Sequence, residues 1–414
     1  MECRVCSSKR LEQFLDLGDQ PHCDSLLREQ DLAHKEPYYP LQVCFCHDCT
    51  AVQINYTVPK ETMFGEYLYV SGTTQTLRTH FQQSTERLIK RLGLKAGDLV
   101  VDIGSNDGTW LACYQPYGIR TLGVDGARNL AEMANKRGVT TWAKFFNSEV
   151  ARDIIAQEGR AKLVTAAGVF FHLEELHSVT EGIAELIRDG GVFCVQAISL
   201  AGMIRYTQFD QVYHEHLTYW TIKSLDRLFS MHGLEICHAD MLTIHGGSLE
   251  LLVAPKGSQP IHESVARMRG EEERLGCDKI ETYREFAKRV WEIERKTMEI
   301  LHERKRQGKK VQAFGAPAKG ATFLNSFHIT TDLVQSAVEV NPLKVGKYIP
   351  GARIPILDEA KTEVPDAYLL LAWNFLKEFL PRKRDYIMKG GEFIVPIPTP
   401  VVITKDNYEQ YAQG

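Results

Sequence analysis

Short apolar runs recur through the middle of the chain, each followed by a segment long enough for a helix. "LVVDIG" (99–104), "TLGVD" (121–125), "AKLVTAAGV" (161–169) and "GVFCVQAI" (191–198) have the near-continuous apolar character of strands covered on both faces. Strands alternating with helices predict a parallel, doubly wound sheet. Upstream, Leu77, Phe81, Leu88 and Leu92 recur near helical spacing among charged residues, which predicts a helix from Gly72 to Leu94. Downstream, Val265, Met268, Leu275, Phe286, Val290, Ile293 and Leu301 stand among many Glu, Arg and Lys side chains between Ile261 and Lys310. That pattern predicts one long amphipathic helix bridging two globular parts. Beyond it, "KVQAFGAPAKGATFLN" (310–325), "LVQSAVEVNP" (333–342), "AYLLLAWN" (367–374) and "EFIVPIP" (392–398) predict a second set of α/β elements.

The first 65 or so residues differ: short apolar runs, turn residues and two CxxC pairs, Cys3-x-x-Cys6 and Cys46-x-x-Cys49, separated by 39 residues. Each pair can present two thiolates to one tetrahedral zinc, and a four-thiolate site is normally closed and structural. Cys44 and His47 beside the second pair leave a ligand swap open, and His22 and Cys23 are weaker candidates. A β-rich module folded by its metal is the expectation. With 414 residues, 44% of them apolar, the chain fills two or three cores. Three parts are expected: a zinc-binding module (1–70), a cofactor domain (71–255) and a C-terminal α/β domain (256–414).

Charge narrows the partners. A net charge of −4 and a pI near 6.4 leave no basic excess for nucleic acid, so a small molecule is expected instead. No stretch approaches the roughly 20 apolar residues of a membrane span, and charged residues with a cysteine pair follow Met1, so a cytoplasmic protein is expected. The sequence leaves the oligomeric state open.

"VVDIGSNDGTW" (100–110) carries the cofactor signal. A buried strand ends in Asp102-x-Gly104-x-x-x-Gly108, where glycines let the backbone turn sharply and approach a ligand. Asn106 breaks the dinucleotide pattern G-x-G-x-x-G, which argues against a pyrophosphate-bearing cofactor. Asp125 ends the next strand about twenty residues on, where a carboxylate can take both hydroxyls of a ribose. Adenosine without pyrophosphate points to S-adenosylmethionine (SAM), with Asp102, Gly104, Asn106, Gly108, Asp125 and Phe146 as the expected cofactor-binding residues.

The order of CxxC…CxxC, "YLYVSGTTQTLRTHF" (67–81), this loop, "FDQVYHEH" (209–216), "IHGGSLE" (244–250), "FGAPAKGATFLN" (314–325), "PGARIPI" (350–356) and "LLAWN" (370–374) resembles the zinc-containing sugar C-methyltransferases over essentially the whole chain. These act on nucleotide-linked 4-keto-deoxysugars. The resemblance implies a zinc module, a Rossmann-like class I methyltransferase domain and a C-terminal α/β domain that closes over the nucleotide sugar. It also implies His216 as the base that removes the proton beside the ketone, with Tyr213 and His172 holding the oxygen as it becomes an enolate. Tyr67, Tyr69 and Ser71 would reach in from the zinc-module side, and His245 and Lys319 would lie near the nucleotide sugar. Gly168-Val169 stands where the family usually has Asn-Val, Gln196-Ala197-Ile198 where it has Glu-x-Pro, and Asp125-Gly126 where Glu-Pro is commoner. Two of these departures border the substrate pocket and leave the acceptor open.

The chemistry agrees with the motif. A carbon nucleophile needs both a base and a partner for the developing oxyanion. In "FDQVYHEHLTYW" (209–220), His216 has an ordinary pKa of about 6.5, suited to a base at neutral pH. Glu215 or a backbone carbonyl can set its tautomer, Tyr213 can donate to an enolate, and Tyr219 and Trp220 can exclude water. Two other readings stand beside this one: methyl transfer to nitrogen or oxygen of another acceptor, and a non-catalytic scaffold.

Overall fold

Three sheets organise the chain in a computed structural model that describes residues 1–67, 69–242, 244 and 247–412. The first is antiparallel: β1 (Leu11–Gln20), β2 (Tyr39–Cys46) and β3 (Val52–Ile54) follow one another, and β9 (Thr218–Tyr219), from far along the chain, completes its edge. Val52 faces Tyr219 and Gln53 faces Thr218 across that last pairing.

The central sheet contains β4 (Leu99–Ile103), β5 (Arg120–Asp125), β6 (Thr141–Ala143), β7 (Leu163–Ala167), β8 (Val192–Ile198), β10 (Leu234–Leu242) and β11 (Ser248–Pro255). Its order is β10-β11-β8-β7-β4-β5-β6, with β4 to β8 parallel and β11 antiparallel to both neighbours. Every residue of β4 and β8 is buried, which explains why their sequences are apolar except at Asp102 and Gln196, whose side chains are hydrogen-bonded inside. Strand order reverses beside β4, so a crevice opens beyond its C-terminal end, where ligands bind in such sheets.

The third sheet, β12 (Val311–Phe314), β13 (Ser336–Glu339), β14 (Ile356–Asp358), β15 (Ala367–Leu370), β16 (Glu392–Val395) and β17 (Val401–Ile403), runs in the order β14-β13-β12-β15-β16-β17. All neighbours are parallel except the last pair.

The expected bridging helix is two helices, Glu263–Arg274 and Ile280–Arg306. Gly276 separates them at φ +69°, a left-handed conformation that an α-helix cannot continue through. The second helix lays Tyr283, Phe286, Val290 and Ile293 inward, and Tyr283 packs on Phe14 of β1 and Phe45 of β2 at 5.0 and 5.1 Å between ring centres. The helix therefore covers the first sheet on its way to the third. The predicted 72–94 helix spans Gln75–Leu92, and Gly93 closes it in the left-handed region. Among the described residues, no helix is long and apolar enough to cross a membrane.

Residues 209–220 touch all three layers. Phe209 is fully buried against Phe323 and Phe327 beneath the third sheet, at 5.9 and 5.0 Å. Thr218 and Tyr219 extend the first sheet, and Trp220 bridges to Ser199 at the end of β8 and packs on Phe170.

Candidate functional site

The four cysteines of the two knuckles converge. Their sulfurs all lie within 4.8 Å of one another, with Cys3 to Cys49 at 3.5 Å and Cys6 to Cys46 at 3.6 Å. Zinc–sulfur bonds of about 2.3 Å in a tetrahedron need sulfurs about 3.8 Å apart, so the residues fit a zinc ion. Both knuckles make the same turn: Ser7 donates its N–H to the Cys3 carbonyl and Thr50 to the Cys46 carbonyl, each at 2.9 Å. Cys44 lies outside the cluster, and His47 faces Glu12 at 3.0 Å instead of the sulfurs.

At the end of β4 the loop is shaped by left-handed residues, Gly104 at φ +67°, Asn106 at +52° and Gly108 at +75°. A Cβ on Gly104 would sit 2.8 Å from a Val169 methyl, so glycine is required there by packing as well as by conformation. Asp125, at the end of β5, accepts the N–H groups of Asn106 at 2.7 Å and Ala127 at 2.8 Å, which aims its carboxylate at the loop. This glycine-lined turn with a carboxylate on the neighbouring strand fits SAM. The Asn106 side chain also accepts from the Ser71 N–H and donates to the Tyr69 carbonyl, fastening that segment over the loop. Asp102 lies beneath, bonded to Thr165 at 2.6 Å, and burial pushes its carboxyl up to about 7 against that bond. Phe146 is buried just after β6, and Gly126 leaves room for the adjacent Phe145 ring, which a Cβ would approach at 2.2 Å.

The motif residues form a buried acid–base cluster. The His216 Nδ1–H donates to the Gln211 carbonyl at 2.7 Å, so a backbone carbonyl, not Glu215, sets its tautomer and places the basic lone pair on Nε2. The Tyr213 ring centre is 3.8 Å from that of His216, Phe171 lies edge-on at 4.5 Å, and His172 stacks at 5.2 Å. Phe64 also stacks on His172, at 5.2 Å. Burial pulls the His172 pKa down to about 4, against the Glu215 charge, so its ring is neutral at pH 7. Its Nε2 is buried and has no hydrogen-bond partner among the described residues. Burial, then the charge of Glu215, raises the Tyr213 phenol well above its ordinary range, leaving it a proton donor. Trp220 packs on Phe170, while Tyr219 stays within 6.4 Å of His216.

Glu215 is held from two sides: His22 Nε2 lies 2.9 Å from Oε1, and the Tyr67 hydroxyl donates to Oε2 at 2.8 Å. Burial opposes ionisation, but the hydrogen bond and charge of His22, followed by His172 and the Tyr67 hydroxyl, outweigh it and hold Glu215 at about 2. Tyr67 thus enters the cluster, whereas Tyr69 is 45% exposed as a residue and meets the loop through its carbonyl. Phe64, Phe171 and His22 were not among the expected catalytic residues. His22 was singled out only as a weak metal candidate, and nothing local ties it to a partner 193 residues away.

The Lys319 side chain is largely buried. Its ammonium lies 2.7 Å from Asn374 Oδ1, 3.5 Å from Asp210 Oδ2 and 4.2 Å over the Trp373 ring, tying the third sheet to the motif segment. His245 lies outside the described residues. Gln196 bonds His80 at 3.0 Å and Glu250 at 2.8 Å, and Glu250 pairs with Arg87. A carboxylate at 196 would face Glu250 directly, so an amide there suits its neighbours.

Comparison with known proteins agrees with this geometry. Family models match a zinc binding domain over residues 3–64, a methyltransferase domain over 77–239 and a C-methyltransferase C-terminal domain over 243–398. The C-methyltransferase NovU of Streptomyces niveus is 36% identical over 409 residues, covering 98% of this chain and 97% of its own. Solved structures similar in part include the magnesium protoporphyrin IX methyltransferase of Synechocystis PCC 6803 with bound SAM, 16% identical with a TM-score of 0.32, covering 47% of this chain and 88% of that one. A SAM-dependent methyltransferase of Anabaena variabilis is 12% identical with a TM-score of 0.34, covering 49% of this chain and all of its own. With its three parts matched in order and a relative aligned along nearly its full length, the chain belongs to the zinc-binding, SAM-dependent C-methyltransferases.

Proposed function

We propose that this enzyme methylates the carbon beside the ketone of a nucleotide-linked keto-deoxysugar, with His216 as the base. The observation that carries the reading is the buried pair of stacked imidazoles: His216 with its basic lone pair on Nε2, and a neutral His172 whose Nε2 has no hydrogen-bond partner among the described residues. His216 takes the α-proton at Nε2, and the electron pair of that C–H bond becomes the enolate. The Tyr213 hydroxyl and the His172 N–H hold the enolate oxygen, each as a neutral donor. Phe64 and Phe171 keep water from the carbanion. The bound cofactor supplies one chemistry, an electrophilic methyl on a sulfonium, held at the Gly104 loop and Asp125. Similarity to NovU supports carbon as the acceptor atom, and the nucleotide sugar follows from the motif resemblance.

Incubation with nucleotide-linked keto-deoxysugars in heavy water, without SAM, tests the base. Wild type should exchange the proton beside the ketone, and His216→Ala should abolish exchange while still binding SAM. Undiminished exchange in His216→Ala would refute the assignment.

A further inference from the structure

Glu215 is 1% exposed, yet neither of its oxygens is bonded to His216, its neighbour in the chain. Its Oε1 is bound by a residue of the zinc-binding part. His22 leaves β1 in the loop before β2, is 8% exposed, and is braced through Nδ1 by the Ser25 hydroxyl at 2.9 Å. The two residues form an ion pair with almost no solvent around it. Burial opposes the His22 charge, but the hydrogen bond and charge of Glu215 outweigh it and raise its pKa.

The surroundings make this partner necessary. Cys23, Asp24, Tyr67, Tyr213, His172 and His214 also face Glu215, and none of them brings a positive charge to it at neutral pH, since burial pulls both imidazoles down to about 4. Lys344 acts on Asp24 from further out. A buried carboxylate that loses its cation takes up a proton instead. A protonated Glu215 would remove the negative charge beside His216 when that ring becomes an imidazolium. Resting on the deprotonation reading above, we propose that His22, supplied by the zinc module, is a positioning residue: its Nε2–H holds Glu215 as the carboxylate that supports the imidazolium formed at His216. A zinc ion held by the four cysteines would support the reaction only by fixing the module that carries His22, without touching substrate.

Two variants separate this role from packing. His22→Gln keeps an N–H near the Nε2 position, and His22→Leu keeps bulk without a donor. Steady-state methyl transfer is measured with zinc content and melting temperature. In His22→Leu, kcat should fall roughly 10- to 100-fold, as for outer partners that orient site groups. KM should stay within about threefold, one zinc per chain should remain, and His22→Gln should recover most of the rate. In parallel, carbon NMR of glutamate labelled at Cδ, with Glu215 assigned by Glu215→Gln, follows its ionisation. Wild type should keep Glu215 charged between about pH 4 and 7, and His22→Leu should protonate it within that window. Equal losses in both variants, an unchanged kcat in His22→Leu, or a zinc content that falls in His22→Leu would overturn the proposal. The NMR arm needs no substrate: a Glu215 that stays ionised in His22→Leu sinks the proposal, whereas absent proton exchange in wild type sinks the deprotonation reading instead.

Discussion

Replacing Lys319 by Met removes the positive partner of Asp210 and leaves the rest of the interface in place. Asp210 is 1% exposed, its Oδ2 accepts from Trp373 Nε1 at 2.7 Å, and its Oδ1 is already without a partner among the described residues. Burial raises its pKa and Lys319 opposes that rise. Leaving a buried charge uncompensated costs about 3–5 kcal/mol. Spread over 414 residues at about 2.1 cal/mol/K each, that lowers an apparent melting temperature by roughly 3–6 °C. If the third sheet melts separately, the same loss acts on fewer residues and its transition shifts further. Differential scanning calorimetry at about pH 8 reads the shift. The pH dependence has a definite sign. Without Lys319 the folded-state pKa of Asp210 rises further above its unfolded value, so the folded form binds the extra proton and the deficit shrinks as pH falls towards about 5. Asp210→Asn added to Lys319→Met should recover most of the loss, because the amide still accepts from Trp373 without carrying charge. A shift under about 1 °C, or a double variant no better than the single, would refute the reasoning.

Gly104→Ala forces an L side chain into the left-handed region, at about 1–2 kcal/mol, and drives it against Val169, so SAM affinity by calorimetry should fall about tenfold or more; unchanged affinity would contradict the loop assignment. Cys46→Ser removes one thiolate, and zinc content by mass spectrometry should fall together with methyl transfer, because the second knuckle's turn joins β2 to β3, and β3 pairs with β9. Full activity in a zinc-free Cys46→Ser protein would contradict that coupling. Glu215→Gln should be less stable than wild type above about pH 4.5, where the native carboxylate is ionised and paired, and the difference should narrow as pH falls towards the folded pKa of about 2. A difference that widens on acidification would reverse the sign of the argument.

The central sheet was legible because its parallel strands are buried on both faces, which makes runs such as Leu99–Ile103 apolar at every position but Asp102. The zinc knuckles were legible from spacing alone, and Gly104 with Asp125 from the conformation and charge a nucleoside needs. Strand β10 left little trace, since a strand on the antiparallel flank with polar positions such as Glu235, His238 and Asp240 lacks a continuous apolar run. The two residues of β9 are too short for any periodicity. The break at Gly276 is masked in sequence because the apolar spacing continues on both sides of it. Within the site, His216 and Tyr213 announce themselves by proximity in sequence. His22, Phe64 and Phe171 reach the cluster only through tertiary packing, and the tautomer of His216 depends on a carbonyl that no sequence pattern marks.

The stretch from Phe209 to Trp220 is shared property of all three layers, and this limits how such an enzyme can be recombined. A hybrid that takes one unit from a relative would set this stretch against foreign neighbours at Phe327 and Trp373, at Val52, or at Ser199. Acceptor preference should therefore pass between lineages as a whole chain, and laboratory chimeras should work only when the grafted unit brings its own version of these twelve residues' contacts.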